Sequence, residues 1–197
     1  MTYKIAHLAD VHIKNLKYHY EYRHVFNQLY AILRKNEVDY IYIGGDIAHT
    51  KTQISPEFVQ LCSEFFTNLA EIAPLYIILG NHDGNLRNKS RQNAITPIVN
   101  ALDNPNIHLL ADAGETIVTD DLAFNVLSVF DEDNWVKPSS EDRINIAFYH
   151  GCVAGVSTDA GWVMEYGDHD VSIFAGHDFA MLGDIHKTNQ ILDEDGR

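Results

Sequence analysis

A layered α/β/β/α sandwich, with two mixed sheets and flanking helices, is the fold class this sequence predicts, and three observations predict it. Apolar runs of strand length alternate with helical periodicities as far as Leu102. Beyond that point short strands follow one another with little helix between them, which fits a second strand-rich layer better than one continuous parallel sheet. Several strands also end on clusters of carboxylate, imidazole and amide side chains, and in α/β sheets functional groups gather outside the carboxyl ends of strands.

Taken in order, residues 4–9 form the first strand, which runs into Asp10-Val11-His12. Tyr22, Val25, Phe26, Leu29, Ile32 and Leu33 recur at helical spacing, predicting an amphipathic helix over 20–36. Residues 40–43 form a second apolar strand that ends on Gly44-Gly45-Asp46 and completes a parallel βαβ unit. Ser55 at an N-cap and Pro56 at the first helical position start a helix that carries Phe58, Leu61, Cys62, Phe65, Phe66 and Leu69 and stops before Pro74. Its wide apolar face suits packing on a sheet, with a dimer contact as a second reading. Residues 75–79 are the third strand, ending on Gly80-Asn81-His82-Asp83. A polar loop over 85–92 and a short helix from Thr96-Pro97 to Leu102 follow.

The later strands are expected at 107–110, 115–118, 122–129, 144–149, 171–175 and 179–182. The acidic stretch 131–142, with Pro and Ser, reads as a surface loop, and 151–167 is long enough to be functional or mobile. Ile191-Leu192 leads into Asp193-Glu194-Asp195-Gly196, a hairpin-like turn with no second strand behind it. The sequence therefore reads as a fragment, or as one whose last strand lacks its partner.

With 197 residues, 46% of them apolar, the chain is long enough to bury a core as one domain over 1–197. No apolar run approaches a membrane span and no signal-peptide pattern opens the chain, so the expected location is intracellular, in the cytoplasm. Cys62 and Cys152 read as free, buried thiols in a reducing compartment. The net charge of −14 opposes phosphate binding by bulk electrostatics. Basic residues nonetheless follow the polar clusters closely: Lys14, Lys17, Arg23, Lys51, Arg87, Lys89, Arg91 and Lys187. They either surround the mouth of a site or simply occupy loops.

Two further clusters, Tyr149-His150-Gly151 and Gly183-Asp184-Ile185-His186, complete the donor inventory. Oxygen and nitrogen donors without thiolate suit a pair of divalent ions, and the carboxylates and amide favour a hard one such as Mn²⁺. Two adjacent ions need a shared ligand. Asp46 is the candidate for that bridge, since the glycines before it allow close approach of the backbone.

Asp10-x-His12, Gly45-Asp46, Gly80-Asn81-His82-Asp83, His150 and Gly183-x-x-His186, in this order, resemble the calcineurin-like metallophosphoesterase superfamily. Within it the chain is most similar to the SbcD type of DNA double-strand-break repair nuclease and its phage relatives, on His49 in Gly45-Asp46-Ile47-Ala48-His49, on Gly-Asn-His-Asp, and on residues 181–187. The resemblance implies that Asp10, His12, Asp46 and His186 hold one ion while Asp46, Asn81, His150 and Asp184 hold the other. It implies His82 as the catalytic imidazole beside the scissile phosphate, and His49 beside the metals, affecting how DNA is fed in. One position departs from the pattern: the family reads Gly-His-x-His where this chain has Gly183-Asp184-Ile185-His186. Aspartate can still bind a metal, and His177 is a weaker substitute because it lacks the spaced partner.

The activity implied is a metal-dependent DNA phosphodiesterase, a 3′ to 5′ exonuclease on duplex ends and an endonuclease on single strands, serving break repair and recombination, with a phage-encoded protein acting in a bacterial host as one setting the resemblance implies. DNA, a second copy of the chain and an SbcC-like ATPase are the implied partners, with no membrane. The capping and ATPase-binding segments of such nucleases would lie beyond residue 197. A general metallophosphoesterase on small phosphate esters and a noncatalytic subunit of a DNA-end complex are the competing readings; the lack of an Asp-Arg pair after Gly45-Asp46 opposes a protein phosphatase. Tyr18, Tyr20 and Tyr22 either stack on bases beside Lys14, Lys17 and Arg23 or pack the start of the first helix.

Overall fold

The computed structural model describes residues 2–156, 161, 163 and 167–186. Most of the segment that follows Val156, Lys187 and the acidic turn at 193–196 lie outside those residues. The chain is mixed α/β with two four-stranded sheets and flanking helices, the class that the alternation of periodicities predicts. It divides into two compact units, Met1–Leu110 and Ala111–Arg197.

In the first unit β1 (Ile5–Leu8), β2 (Tyr40–Gly44), β3 (Leu75–Ile78) and β4 (Ile107–Leu109) lie in that order, all parallel. β3 is buried throughout and β2 nearly so, which is why they read as continuous apolar runs rather than alternating ones. The register sets Leu8 beside Ile43 and Gly44 beside Ile78, so the loops that leave β1, β2 and β3 emerge together at one edge of the sheet. β4 joins this sheet beside β3; the change of sequence pattern beyond Leu102 hides that membership.

The helices of this unit are α1 (His19–Asn36), α2 (Pro56–Ala70) and α3 (Thr96–Leu102). α2 starts as its sequence dictates: the Phe58 N–H donates to Ser55 Oγ at 3.2 Å and Pro56 takes the position where an N–H has no helical partner. It buries Phe58, Leu61, Cys62, Phe65, Phe66, Leu69 and Ala70. α1 buries a narrower stripe of Phe26, Tyr30 and Leu33, with Phe26 stacked on Phe65 at 4.0 Å between ring centroids. α3 is held at its start by Asn93, whose Oδ1 accepts from the Ile95 and Thr96 N–H groups.

The second unit is a mixed sheet. β5 (Gly114–Thr119) and β6 (Leu122–Leu127) form an antiparallel hairpin, and β7 (Ile144–His150) and β8 (Phe179–Gly183) add in parallel beside β6. Leu127, Ala147, Tyr149, Val153 and Val156 form a core here, with Trp135, Ile173 and Phe174 packed against it. The strand expected over 171–175 is instead a short 3₁₀ helix, Val171–Phe174. The reason is local: the Asp170 side chain accepts the Ser172 N–H at 2.9 Å, giving the backbone a turn in place of a ladder. Within the expected surface loop 131–142, Glu132–Asn134 forms another 3₁₀ turn. Among the described residues no helix is long and apolar enough to cross a membrane.

Candidate metal centre

Three loops of the first unit build the centre. After β1 the backbone turns through left-handed conformations at Asp10 (φ 54) and His12 (φ 47). Non-glycine residues adopt that region at a cost, and such strain concentrates at functional sites. The turns persist because this loop is bonded along the loop after β2: the Asp10 N–H donates to the Gly45 carbonyl, His12 N–H to the Asp46 carbonyl at 2.9 Å, and Ile13 N–H to the Ile47 carbonyl at 2.8 Å. Gly45 (φ 86) and Asp46 (φ 53) are left-handed as well, and at Gly45 glycine adopts that backbone without strain.

Asp46 is 1% exposed. A buried carboxylate needs hydrogen bonds or cations around it, and here the His82 N–H donates to its Oδ1 at 2.8 Å. Its Oδ2 faces two imidazoles, His12 Nε2 at 3.6 Å and His82 Nε2 at 4.0 Å. The donor atoms of His12, Asp46 and His82 all fall within 4.8 Å of one another. His12 Nε2 and Asp46 Oδ2 are donors of the kind that suit a divalent cation such as Mn²⁺, Fe or Zn²⁺, and His82 Nε2 stands beside them.

His82 is oriented from both ends. Its main-chain N–H holds Asp46, and its ring Nδ1 lies 2.7 Å from the His49 carbonyl oxygen. A carbonyl only accepts, so Nδ1 carries the proton in this bond and Nε2 is the atom turned to the centre. The His82 ring meets His12 edge-on at 4.8 Å and lies 6.2 Å from His49, whose own ring is edge-on to His12. With its side chain 44% exposed, His82 faces solvent where Asp46 does not. Asn81 belongs to the same turn, and its carbonyl accepts from Lys51 Nζ at 2.8 Å.

Three residues to which the sequence reading gave no role in the centre support it. Asp83 is fully buried and accepts the Ala48 N–H at 2.8 Å and the Gly80 N–H at 3.0 Å, so one carboxylate fastens the third loop to the second. Its place directly after His82 was the available signal. Tyr22 donates its hydroxyl to the His12 carbonyl at 2.7 Å, tying the first turn of α1 to a donor residue. Tyr42 is fully buried beneath Gly44, where burial and the Asp10 carboxylate hold its phenol well above the usual range. Burial and the Asp83 charge likewise push the Cys62 thiol up, which keeps it an inert core residue.

In the second unit, parallel pairing sets His150 at the end of β7 beside Gly183 at the end of β8. His150 is buried, and its Nε2 lies 3.8 Å from Asp184 Oδ1. Asp184 is itself left-handed (φ 74), while His186 is exposed. Gly151 is required by its neighbour, since a Cβ there would lie 2.5 Å from the Tyr149 hydroxyl. His177, the weaker substitute, lies against the Phe174 carbonyl, and burial depresses its pKa. Burial and nearby carboxylates raise the Cys152 thiol, which makes it a poor nucleophile.

A family model described as calcineurin-like phosphoesterase matches residues 3–181. "Uncharacterized protein R555" of Acanthamoeba polyphaga mimivirus is 39% identical over 198 residues, covering 93% of this chain and 14% of that protein. "Putative phosphoesterase 244L" of Invertebrate iridescent virus 6 is 32% identical over 83 residues, covering 41% of this chain and 28% of that protein. The chain thus spans only a small part of the length of either relative. Among solved structures, the Pseudomonas putida nuclease MPE aligns over 76% of this chain and 61% of its own, with a TM-score of 0.40 and 19% identity.

Proposed function

The chain belongs to the calcineurin-like phosphoesterase family, and from that membership we propose that it is a metal-dependent phosphodiesterase acting on DNA: a 3′ to 5′ exonuclease on duplex ends and an endonuclease on single strands, in break repair or recombination. The observation that carries this reading is the meeting of His12, Asp46 and His82 within 4.8 Å, with His82 fixed at Nδ1. Support for a diester rather than a phosphoprotein comes from the sequence, which has no Asp-Arg pair after Gly45-Asp46. The SbcD-type assignment rests on His49 and on the Gly-Asn-His-Asp and 181–187 stretches. Assembly as a homodimer and with an SbcC-like ATPase, and work in the cytoplasm, belong to the same proposal.

Asp10, His12, Asp46 and His186 would hold one divalent ion, and Asp46, Asn81, His150 and Asp184 a second, with Mn²⁺ favoured by the hard donors. Bound there, such ions supply Lewis acidity, neutralising charge at the phosphoryl oxygens and acidifying water. The protein's own residues do the rest. Asp46 is buried and held in place by the His82 N–H. His82 presents Nε2 to the phosphoryl group: protonated, it donates a hydrogen bond to a phosphoryl oxygen and delivers that proton to the departing 3′-oxygen. His49 contributes its carbonyl, which keeps the His82 ring from turning Nδ1 outward.

The test is Mn²⁺-dependent digestion of end-labelled duplex and single-stranded DNA, comparing the natural chain with His82→Ala and measuring bound metal in both. The expected result is a fall in rate of about 10²–10⁴-fold with metal content retained. Hydrolysis of bis-p-nitrophenyl phosphate or its monoester, without digestion of DNA, would move the assignment to small phosphate esters. Full metal occupancy with neither activity would leave a noncatalytic subunit.

A further inference from the structure

The short segment from His12 into the first turn of α1 breaks three local rules at once. Leu16, Tyr18 and Tyr20 are 66%, 56% and 82% exposed, a dense set of large side chains in water for five residues of chain. Tyr18 occupies the N-cap of α1, where Ser, Thr, Asp or Asn would satisfy a helix N–H, and it makes no side-chain cap. It is also left-handed (φ 63), a conformation that a bulky residue adopts only under constraint. Sites where a sequence works against its own local stability are the expected places for function.

The loop is nevertheless firmly built. Asn15 Oδ1 accepts the Ser55 N–H at 2.6 Å, and the Asn15 carbonyl accepts the Ser55 hydroxyl. His19 Nε2 lies 2.7 Å from the Lys14 carbonyl, closing the base of the loop. The Tyr22 N–H donates to the Tyr18 carbonyl, and the Tyr22 hydroxyl donates to the His12 carbonyl. Tyr18 is therefore one helical turn from a residue bonded directly to a donor of the metal centre. Lys14 Nζ lies 5.2 Å above the Tyr18 ring, and Lys17 is exposed beside it. In a chain of net charge −14, two lysines interleaved with two exposed phenol rings form a local cationic and aromatic surface.

We propose that Tyr18 and Tyr20, with Lys14 and Lys17, form a stacking platform that receives unpaired bases of single-stranded DNA leading into the metal centre. The inference rests on the phosphodiesterase reading above and names the substrate form it takes. Aromatic faces accept any base, while lysines neutralise phosphates, so the platform binds without sequence preference. Folding alone gains little from rings so exposed, and a double helix keeps its bases stacked inside, away from them.

The experiment measures binding of the metal-loaded protein to a labelled phosphorothioate oligothymidylate by fluorescence anisotropy, with a duplex of the same length beside it. Tyr18→Ala and Tyr20→Ala should each weaken single-strand binding roughly five-fold or more, while Tyr18→Phe and Tyr20→Phe keep it. Lys17→Gln should lower the slope of log affinity against log salt by about one. Tyr20, almost wholly exposed, is the variant whose folding is not at stake. The platform is overturned if the natural chain fails to bind the single strand, if the alanine variants bind as well as it does, or if duplex binding falls equally. Hydrolysis of bis-p-nitrophenyl phosphate by the natural chain is measured separately. Hydrolysis without oligothymidylate binding removes the platform and leaves the phosphodiesterase, and binding without hydrolysis does the reverse.

Discussion

Gly44 and Tyr42 share one small space under the centre. A Cβ at Gly44 would come within 3.3 Å of the Tyr42 hydroxyl and 3.4 Å of the Ala9 Cβ, so the phenol fills what a larger residue would need. The same phenol is influenced by the Asp10 carboxylate. Groups behind a metal ligand set its orientation, and their loss commonly weakens metal binding 10–100-fold. Tyr42→Phe should therefore weaken divalent-ion affinity by about ten-fold at an unchanged far-ultraviolet spectrum, read by titration calorimetry. Gly44→Ala should cost about 1–3 kcal/mol by overpacking. In the Tyr42→Phe background that cost should shrink, and additive urea midpoints in the four-way cycle would show the two positions to be independent.

The two long helices start by opposite rules, and their stabilities should respond in opposite directions. Ser55→Ala removes the cap of α2 and should cost about 1 kcal/mol, seen as a lower urea midpoint with unchanged slope. Tyr18→Asn puts a residue tolerant of left-handed backbone at the start of α1 and should raise stability by a few tenths to about 1 kcal/mol. The same variant should weaken oligothymidylate binding, a trade of function for stability. α1, α2 and the buried strands were legible because their apolar periodicity is strong and nothing local opposes it. Residues 171–175 were misread because Val171, Ile173 and Phe174 have strand propensity, while the deciding interaction is a side-chain cap from Asp170. The place of β4 was illegible for another reason: a three-residue strand carries no mark of which sheet it joins.

Across the whole molecule, stability should fall on both sides of neutrality. Burial lowers the pKa values of His108 and His177, so below about pH 6.5 the unfolded chain takes up protons that the folded chain refuses, and stability drops as pH falls. Burial raises Tyr30, Tyr42 and Tyr149, so above about pH 10 the unfolded chain releases protons that the folded chain keeps, and stability drops again. Urea midpoints across this range check both limbs, and a profile that stays level past pH 10 would contradict the alkaline one. The placement of the polar clusters after β1, β2, β3, β7 and β8 was legible because each follows an apolar run in an ordered set of motifs. What binds their loops together was not, since the Ala48 N–H to Asp83 and the His82 N–H to Asp46 join residues far apart in sequence. That clasp also dates the centre during synthesis. Asp46 leaves the ribosome well before His82, and in the interval His12 and Asp46 are present without the third loop. Until Asp83 has emerged, the loop after β2 lacks the carboxylate that receives its Ala48 N–H.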